Sequence, residues 1–405
     1  MNAYDTTDPQ KLLQLKRLEA DALLDVLKTI NHAEMSISNL CSITRNVLRA
    51  QLGVKKMAFH YHYLDQWHEG IRVGFRQVGE KAKAEMFSFK RTGGSSSEAH
   101  PFLTAIGVEY VVPIANGAAY FLIAEFADSE VEAQNDLIFI ETLGNILAVA
   151  ISNRQLFQEK MDQESLRREL EVAEAIQRQL LISDFSRFED LDVYAINLAH
   201  HRVGGDLYDV IKKENGITFL CIADVAGKGI GAALLMSNLQ ANLRALCAQY
   251  NDLTSIIVEL NRILYNITIG EKFVTLFLAR VDARERELAY VNAGHNYPLF
   301  QHGDRQEALA SGCILLGITP EVQPEQGTLS YQAGDYLFAY TDGVVEQYSK
   351  GEEEMFGTDR VVQFLQAGEF EGPQDLIKRL QKQLNRFAAG QPATDDITML
   401  GVRFI

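Results

Sequence analysis

Short apolar stretches rich in β-branched and aromatic residues recur through the second half of the chain and end at acidic residues. The stretches LYDVIKK and ITFLCIAD flank the turn ENG, a pattern that predicts a β-hairpin. Two further predicted strands, in DYLFAYTDGVVE and TDDITMLGVRFI, also have aspartates at their ends. After the hairpin, a helix with one apolar face is predicted from about Ile230 to Cys247. This half therefore predicts an α+β unit with carboxylates at its strand ends.

The register of the hairpin decides how two of these aspartates are placed. If ENG forms a three-residue loop, Asp206 pairs with Asp224. A two-residue Asn-Gly turn instead sets Asp206 opposite Val225 and beside Asp224. Either register brings both carboxylates to the same edge of one sheet.

Four aspartates at strand ends are candidates for one cluster: Asp206, Asp224, Asp342 and Asp395. Antiparallel neighbours place the end of one strand beside the start of the next, so these carboxylates are expected at one rim. Two like charges about 4 Å apart repel by roughly 4 kcal/mol at an effective dielectric near 20, so the cluster requires protons or cations. Mg²⁺ and Mn²⁺ take oxygen ligands of this kind. The alternative is four independent turn or capping aspartates.

Composition bounds the rest of the chain. Its 405 residues, 47% of them hydrophobic, suffice for two or three domains with apolar cores. A net charge of −16 argues against nucleic acid or an anionic membrane surface as the main partner. No apolar run of spanning length and no signal peptide is evident, which predicts a soluble cytoplasmic protein. The four cysteines lack CxxC spacing and are predicted to be reduced and mostly buried.

From about Leu166 to the C-terminus the sequence resembles the SpoIIE/RsbU-type serine/threonine phosphatases of the metal-dependent PPM (protein phosphatase 2C-like) class. The resemblance rests on ordered blocks: LEVAEAIQRQLL, VGGDLYD, ADVAGKGIGAALLMS, KFVTLFLARVD, NAGHNYP, YTDGVVE, EMFGTDR and TDDITM. It implies an α-β-β-α sandwich of two antiparallel sheets. One such block is weak evidence, whereas all of them in order are specific.

The same resemblance implies a ligand set for two Mn²⁺ or Mg²⁺ ions. Asp224 would bridge the two ions, and Val225 would offer its backbone carbonyl to one of them. Asp342 and Asp395 would complete the shell of the second ion, and Asp206 would bind mainly through metal-held water. Because a metal-held water serves as the nucleophile in such a site, no protein nucleophile is required.

Four more residues lie in the matching blocks and receive supporting roles. Asp396 is expected to support the site, and Asp209 either supports the ligands or is a solvated strand residue. Lys228 either assists a phosphate at the start of the Ile230 helix or is a solvated turn lysine. His295 either protonates the leaving oxygen or holds a turn by hydrogen bonds, the second being favoured. Tyr297 stands where the family pattern usually has Pro, which affects the shape of its loop.

By resemblance, the substrate is a phosphoserine or phosphothreonine on a partner protein, an anti-sigma-factor antagonist of STAS type. A different class of function is also consistent with the sequence: a catalytically silent scaffold that senses a ligand and binds the same partner. Retention of all four acids argues against that alternative.

The first 155 residues are predicted to form a separate sensor unit, followed by a phosphatase domain over 183–405. A helical pattern from about Lys11 to Leu52, the strand VKKMAFHYHYL, the hairpin EYVVPIANGAAYFLIAEFA and a closing helix resemble a GAF domain. Its ligand, small molecule or protein, is not indicated by any motif. His60 and His62 share one strand face, where they form either a metal or haem pair or ordinary pocket-lining residues. The stretch KRTGGSSSEAH is predicted to be a mobile loop.

Residues 156–182 are predicted to form a helical linker, free of Gly and Pro. A narrow apolar stripe runs along it through Leu166, Leu170, Ala173, Ile176 and Leu180. Such a stripe between charged positions is typical of a coiled-coil seam and favours a parallel homodimer. The alternative is a helix that packs on its own phosphatase domain.

Overall fold

The computed structural model describes residues 36–89, 94–95, 100–125, 130–214, 216–351 and 354–405. The chain divides into two compact units, Met1–Ser165 and Leu166–Ile405. The first part of the predicted Lys11–Leu52 helix and most of the loop KRTGGSSSEAH lie outside the described residues, as does Asn215 of the hairpin turn.

The first unit contains a sheet and short helices, followed by one long helix. Its helices are α1 (Ile37–Leu52), α2 (Glu80–Met86), α3 (Pro101–Ala105) and α4 (Glu130–Leu180), the last of which continues into the second unit. Its strands are β1 (Lys56–Tyr63), β2 (Gln66–Val73), β3 (Gly94–Ser95), β4 (Tyr110–Ile114) and β5 (Ala119–Ala124). The Ser36 side chain caps the start of α1, and Gly53 in the left-handed region ends it.

The five strands pair in the order β2-β1-β5-β4-β3, and all pairs are antiparallel. Alternate residues of β1 point to opposite faces, so Phe59 joins a core with α1 and the start of α4, while Ala58 joins a core with α2 and α3. The helix, strands, hairpin and closing helix expected from the sequence are present. Assignment of this unit to the GAF family stays a prediction.

Helix α4 runs for 51 residues from Glu130 to Leu180 as one element. Within the described residues it is the one helix long and apolar enough, by length and composition, to cross a membrane. It therefore holds a more apolar window than we predicted from the sequence. However, 44% of that window is buried inside the protein, as in a core helix of a soluble protein, so this evidence for a membrane span is weak. The cytoplasmic location stays a prediction.

The second unit begins within α4 and contains eleven strands and five further helices among the described residues. The helices are α5 (Ile230–Gln249), α6 (Leu253–Thr268), α7 (Asp342–Val345), α8 (Thr358–Ala367) and α9 (Pro373–Ala388). The first strands are β6 (Leu191–Leu198), β7 (Leu207–Lys212), β8 (Ile217–Val225), β9 (Val274–Asp282), β10 (Glu287–Ala293) and β11 (Leu299–His302). The remaining strands are β12 (Arg305–Ala308), β13 (Gly312–Cys313), β14 (Gly327–Ser330), β15 (Tyr336–Tyr340) and β16 (Ile397–Phe404).

These strands form two sheets. One has the order β13-β10-β9-β8-β7, with β14 also paired to β10, and the other has the order β12-β11-β15-β16-β6. All pairs are antiparallel except the two-residue pair β10–β13, which is parallel. The predicted pair of antiparallel sheets is thus confirmed, with this short exception.

Three apolar layers hold the sheets and helices together. One lies between the two sheets and includes Leu220 and Val402. A second packs α5 and α6 on the outer face of the first sheet, and a third packs α8 and α9 on the second. The α-β-β-α sandwich implied by the sequence resemblance is therefore observed. All four cysteines are free and three of them are buried, as the sequence predicted.

Candidate metal centre

Asp206 and Asp224 lie at the open end of the β7–β8 hairpin. The pairs run from Leu207 opposite Ala223 to Lys212 opposite Thr218, and the same register continued by one residue sets Asp206 opposite Asp224. Of the two registers considered from the sequence, this is the one with the three-residue loop. Asp206 is 2% exposed, and its burial together with the nearby Asp224 charge raises its pKa well above the usual range.

Asp342 and Asp395 come to the same rim from the second sheet. Asp342 is the first residue of α7 and is separated from the end of β15 by Thr341 alone, and Asp395 precedes β16. Burial, followed by the charges of Glu346 and Asp395, raises the pKa of Asp342 to about 6. Burial, followed by the charge of Asp342, raises the pKa of Asp224 to about 7. The four predicted carboxylates are therefore electrostatic neighbours.

The carboxylates lie near one another but do not form a complete set of metal ligands in their present positions. Among the described residues, no group of three or more His, Cys, Asp or Glu side chains lies close enough to hold an ion in its present position. Some oxygens already have partners, since Thr341 donates to Asp206 at 2.8 Å and the Lys228 ammonium lies 2.9 Å from Asp395. The donor set still suits hard divalent cations, because it consists of oxygens whose repulsion a cation relieves.

The two glycines of the motif VGGD allow close approach of backbone to neighbouring groups. A Cβ on Gly204 would collide with the Asp396 carboxylate, and one on Gly205 would lie 2.9 Å from the Val225 carbonyl oxygen. Only glycine leaves room here, so the motif brings the chain just before Asp206 against the carbonyl that is a candidate ligand.

Asp396 anchors this glycine segment. Its two carboxylate oxygens accept hydrogen bonds from the backbone N–H groups of His200, at 2.7 Å, and Gly205, at 2.8 Å. Both acceptor oxygens of a largely buried carboxylate are thereby used to fix the loop before Asp206.

Asp209 belongs to a different site. Its carboxylate is fully buried and accepts two hydrogen bonds from the Arg244 guanidinium, at 2.6 and 3.0 Å, with Gln240 at 3.3 Å. Our alternative of a solvated strand residue was therefore wrong. Since Asp209 is three residues from Asp206, it projects from the opposite face, toward α5.

Lys228 lies on the glycine turn that leads into α5. Its ammonium donates to the Thr394 carbonyl at 2.6 Å in addition to its contact with Asp395. The turn is also held by Lys272, which donates to the Ala226 carbonyl at 3.2 Å. No side chain caps the start of α5, which leaves its first N–H groups without a side-chain acceptor.

His295 is buried rather than presented to solvent. Its Nδ1 lies 2.9 Å from the Thr275 hydroxyl, its backbone N–H donates to the Asn292 side chain, and its ring also meets the Tyr340 backbone. Burial lowers the pKa of His295 to about 4, so the ring is neutral near pH 7. This geometry favours the structural role over that of a general acid. Tyr297, two residues on, is exposed.

A hydroxyl and amide network beneath Asp206 escaped our sequence analysis. Thr341 donates to Asp206 and accepts from the backbone N–H of Thr398 at 2.9 Å, while Asn197 donates to the Thr398 hydroxyl at 2.9 Å. Asn197 and Thr398 are about two hundred positions apart in sequence, and ordinary strand patterning gave no signal that they meet. The Thr-Asp pair in YTDGVVE was the one available hint.

Comparisons with known proteins agree with this fold. Residues 214–405 match the family described as Stage II sporulation protein E (SpoIIE). The chain is 26% identical over 269 residues to "Phosphoserine phosphatase RsbU" of Bacillus subtilis (strain 168), covering 65% of this chain and 79% of that protein. It is also 26% identical to "Phosphoserine phosphatase RsbP" of the same organism, over 44% of this chain and 46% of that protein. The SiaA-PP2C domain of Pseudomonas aeruginosa superposes with a TM-score of 0.54 at 21% identity, covering 60% of this chain and 99% of that domain.

The fold and these similarities define a protein serine/threonine phosphatase of the PPM class. Within that class, the C-terminal unit is similar to the SpoIIE family over residues 214–405 and to RsbU. Its homologues are metal-dependent, usually on Mn²⁺ or Mg²⁺. The family match begins at residue 214, so it includes Asp224, Asp342 and Asp395 but not Asp206.

We predict that the metal-free protein loses stability as pH rises toward neutrality. The raised pKa values of Asp224, about 7, and Asp342, about 6, mean that the native state keeps protons that the unfolded chain releases near pH 4. The free energy of unfolding should therefore fall from about pH 4 to about pH 7. In thermal melts with chelator, Asp224→Asn should reduce this fall because asparagine does not ionise.

The exposed turn residue Asp304 supplies the control, since Asp304→Asn should leave the pH slope unchanged. Equal slopes for the wild type and Asp224→Asn would contradict the prediction.

We also predict that Arg244→Ala destabilises the second unit by about 3 kcal/mol, because it leaves the buried Asp209 charge without its partner. Chemical denaturation followed by circular dichroism measures the change. Arg262→Ala is the matched control, since Arg262 pairs with Glu259 on the surface and should cost about 1 kcal/mol or less. Similar losses for both variants would show that the Asp209 pair is not structurally important.

Proposed function

We propose that this phosphatase holds two Mn²⁺ or Mg²⁺ ions at the rim of its sandwich. The proposed ligands are the carboxylates of Asp206, Asp224, Asp342 and Asp395 and the backbone carbonyl of Val225. The observation that carries the proposal is the convergence of these carboxylates at one rim, where burial, followed by the charges of neighbouring carboxylates, raises the pKa of three of them. Divalent cations relieve that repulsion, and the carboxylate and carbonyl oxygens match their preference.

When bound, such ions lower the pKa of a water molecule and screen the phosphoryl oxygens during in-line attack. The residues of the chain orient the substrate around them. The Lys228 ammonium and the uncapped N–H groups at the start of α5 supply positive charge for a phosphate at the edge of the cluster. Asp396 and Thr341 hold the segment around Asp206 in place. The neutral, buried His295 forms a hydrogen bond with Thr275 and so stabilises the ends of the strands.

The proposed substrate is a phosphoserine or phosphothreonine on a partner protein, specifically a STAS-type anti-sigma-factor antagonist. Support comes from the similarity to RsbU, whose description names phosphoserine phosphatase activity. A rim that is open to solvent at Lys228 and Asp395 is accessible to a phosphorylated protein surface. The other class of function, a silent scaffold, is distinguished by phosphate release with and without Mn²⁺.

We further propose that the first unit is a GAF-like sensor that regulates the phosphatase. It contains a cavity of about 400 Å³, lined in part by Tyr61, His62, Trp67, Asn116 and Gln155, which is large enough for a small ligand. For His60 we favour an ordinary buried role over membership of a metal or haem pair. Its ring is buried, with Nε2 3.6 Å from Glu69, and burial lowers its pKa to about 4.

The helical segment 156–182 is proposed to hold a homodimer. Leu166 and Ile176 of its apolar stripe are exposed, at 52% and 56%, as expected of a surface that meets a second chain. Leu170, Ala173 and Leu180 are half-buried within the protein, so this part of the stripe also contacts its own chain.

Mn²⁺ or Mg²⁺ should support hydrolysis of an aryl phosphate, and chelation should abolish it. Asp224→Asn and Asp342→Asn should each lower the rate at least about 100-fold, the scale observed when one group that stabilises transition-state charge is removed. Steady-state kinetics at saturating metal measures this, with Asp304→Asn as the control. A near wild-type rate in either variant would refute the ligand assignment, and a wild type without Mn²⁺-dependent phosphate release would favour the scaffold.

Leu170→Asp should weaken dimerisation, because it places one unpaired charge from each chain in the proposed seam. Turnover of a phosphorylated STAS-domain partner should change, whereas aryl phosphate hydrolysis should change less. Sedimentation at low micromolar protein measures the first effect, and phosphopartner kinetics measures the second. Gln179→Asp, on the opposite helix face, is the control. A variant that stays dimeric with unchanged turnover would leave the helix as a simple tether.

A further inference from the structure

One side chain of helix α4 holds the backbone of the glycine segment before Asp206. The Gln177 amide nitrogen donates to the Gly204 carbonyl at 2.7 Å, and its amide oxygen accepts from the Gly204 N–H at 3.1 Å. Both polar backbone groups of Gly204 are thus bonded to a single side chain 27 positions earlier in the chain. Because the contact has two points, it fixes the orientation of this peptide as well as its distance from the helix.

The glycine segment that Gln177 holds, Gly204 and Gly205, has few other restraints. Gly204 and Gly205 have no side chains to pack, and the segment belongs to neither sheet. Asp396 holds one side of it through the Gly205 N–H, and Gln177 holds the other. Asp206 follows directly, so these two attachments, together with the hydrogen bond from Thr341, set the position of its carboxylate at the rim.

The neighbouring contacts between α4 and this loop are weaker. Arg202 lies 3.0 Å from Glu171 and 3.9 Å from Glu174, but these side chains are between 27% and 48% exposed. Ion pairs of this exposure contribute about 1 kcal/mol or less because water screens them. The Gln177 side chain, which forms the two hydrogen bonds to Gly204, is half-buried and neutral, so it provides the more specific attachment.

We propose that Gln177 is a positioning residue of the metal centre: its amide sets the Gly204 peptide and thereby places Asp206 and Gly205 against Asp224 and Val225. The proposal rests on the two-metal function stated above. It also gives the helix a direct route to the catalytic rim. Any movement of α4 that withdraws Gln177 releases the segment that carries a ligand, even though the sheets stay unchanged.

Gln177→Leu tests the proposal, because leucine has a similar volume but makes neither hydrogen bond. We expect the Mn²⁺ concentration for half-maximal hydrolysis of p-nitrophenyl phosphate to rise about tenfold, as for other residues that support metal ligands indirectly. At a fixed Mn²⁺ concentration, the Mn²⁺-induced rise in melting temperature should shrink. The melting temperature without metal should also fall, because the buried N–H and C=O groups of Gly204 lose their partners, so each metal-induced shift is measured against the metal-free value of the same variant. Gln179→Leu, at an exposed position of the same helix, should behave as wild type in all three measurements.

Gln177→Asn provides a second variant if the leucine variant does not fold. It keeps the amide but is one methylene too short to reach both Gly204 groups, so the same loss of Mn²⁺ affinity is expected. A wild-type Mn²⁺ midpoint and melting shift in whichever variant folds would overturn the proposal, as would a wild type without any Mn²⁺-induced shift. If the wild type shows the melting shift but releases no phosphate, the proposed function fails, and the melting shifts of the variants still decide the role of Gln177.

Discussion

The carboxylates at one rim of the phosphatase unit are partly or wholly buried. Their mutual repulsion is the constraint on which the rest of this unit depends. Asp224 faces the charges of Asp342 and Asp395, and Asp206 faces that of Asp224, in surroundings that already disfavour the ionised forms. Such an arrangement persists because strands from two sheets are fixed by the apolar layers around them. The rigid sandwich therefore keeps these carboxylates close together, although their repulsion is unfavourable without cations. Because bound cations relieve that repulsion, the site is suited to bind them.

The sandwich does not fix every part of the site equally. Asp224 is the last residue but one of a strand, Asp342 begins a helix one residue after a strand, and Asp395 lies two residues before a strand. Asp206 instead follows a loop whose shape depends on the Asp396 carboxylate and the Gln177 amide. Among the proposed ligands, Asp206 is thus the one whose preceding loop contacts the long helix. This arrangement gives the helix influence over the centre without requiring any change in the two sheets.

The motif VGGDLYD shows how one short stretch serves two purposes. Asp206 points between the sheets to the rim, where Thr341 donates to it. Asp209, three residues later, points to the opposite face and forms a buried ion pair with Arg244. Strand alternation predicts opposite directions for the two, but it does not tell which face holds the metal centre and which holds a helix. That choice depends on how β7 is placed between the second sheet and α5.

The sequence by itself determined the α+β class, the hairpin with its two candidate registers, the α5 helix, and the four aspartates at strand ends, because these follow from local periodicity and from ordered motifs. Only the tertiary structure decided the register, the burial of Asp209 and His295, and the network that joins Asn197 and Thr398 to Asp206. It also revealed the two hydrogen bonds between the Gln177 side chain and the Gly204 backbone. These features depend on which side chains meet across long sequence separations and on how much water is removed around them. Neither is recorded in the spacing of residues along the chain.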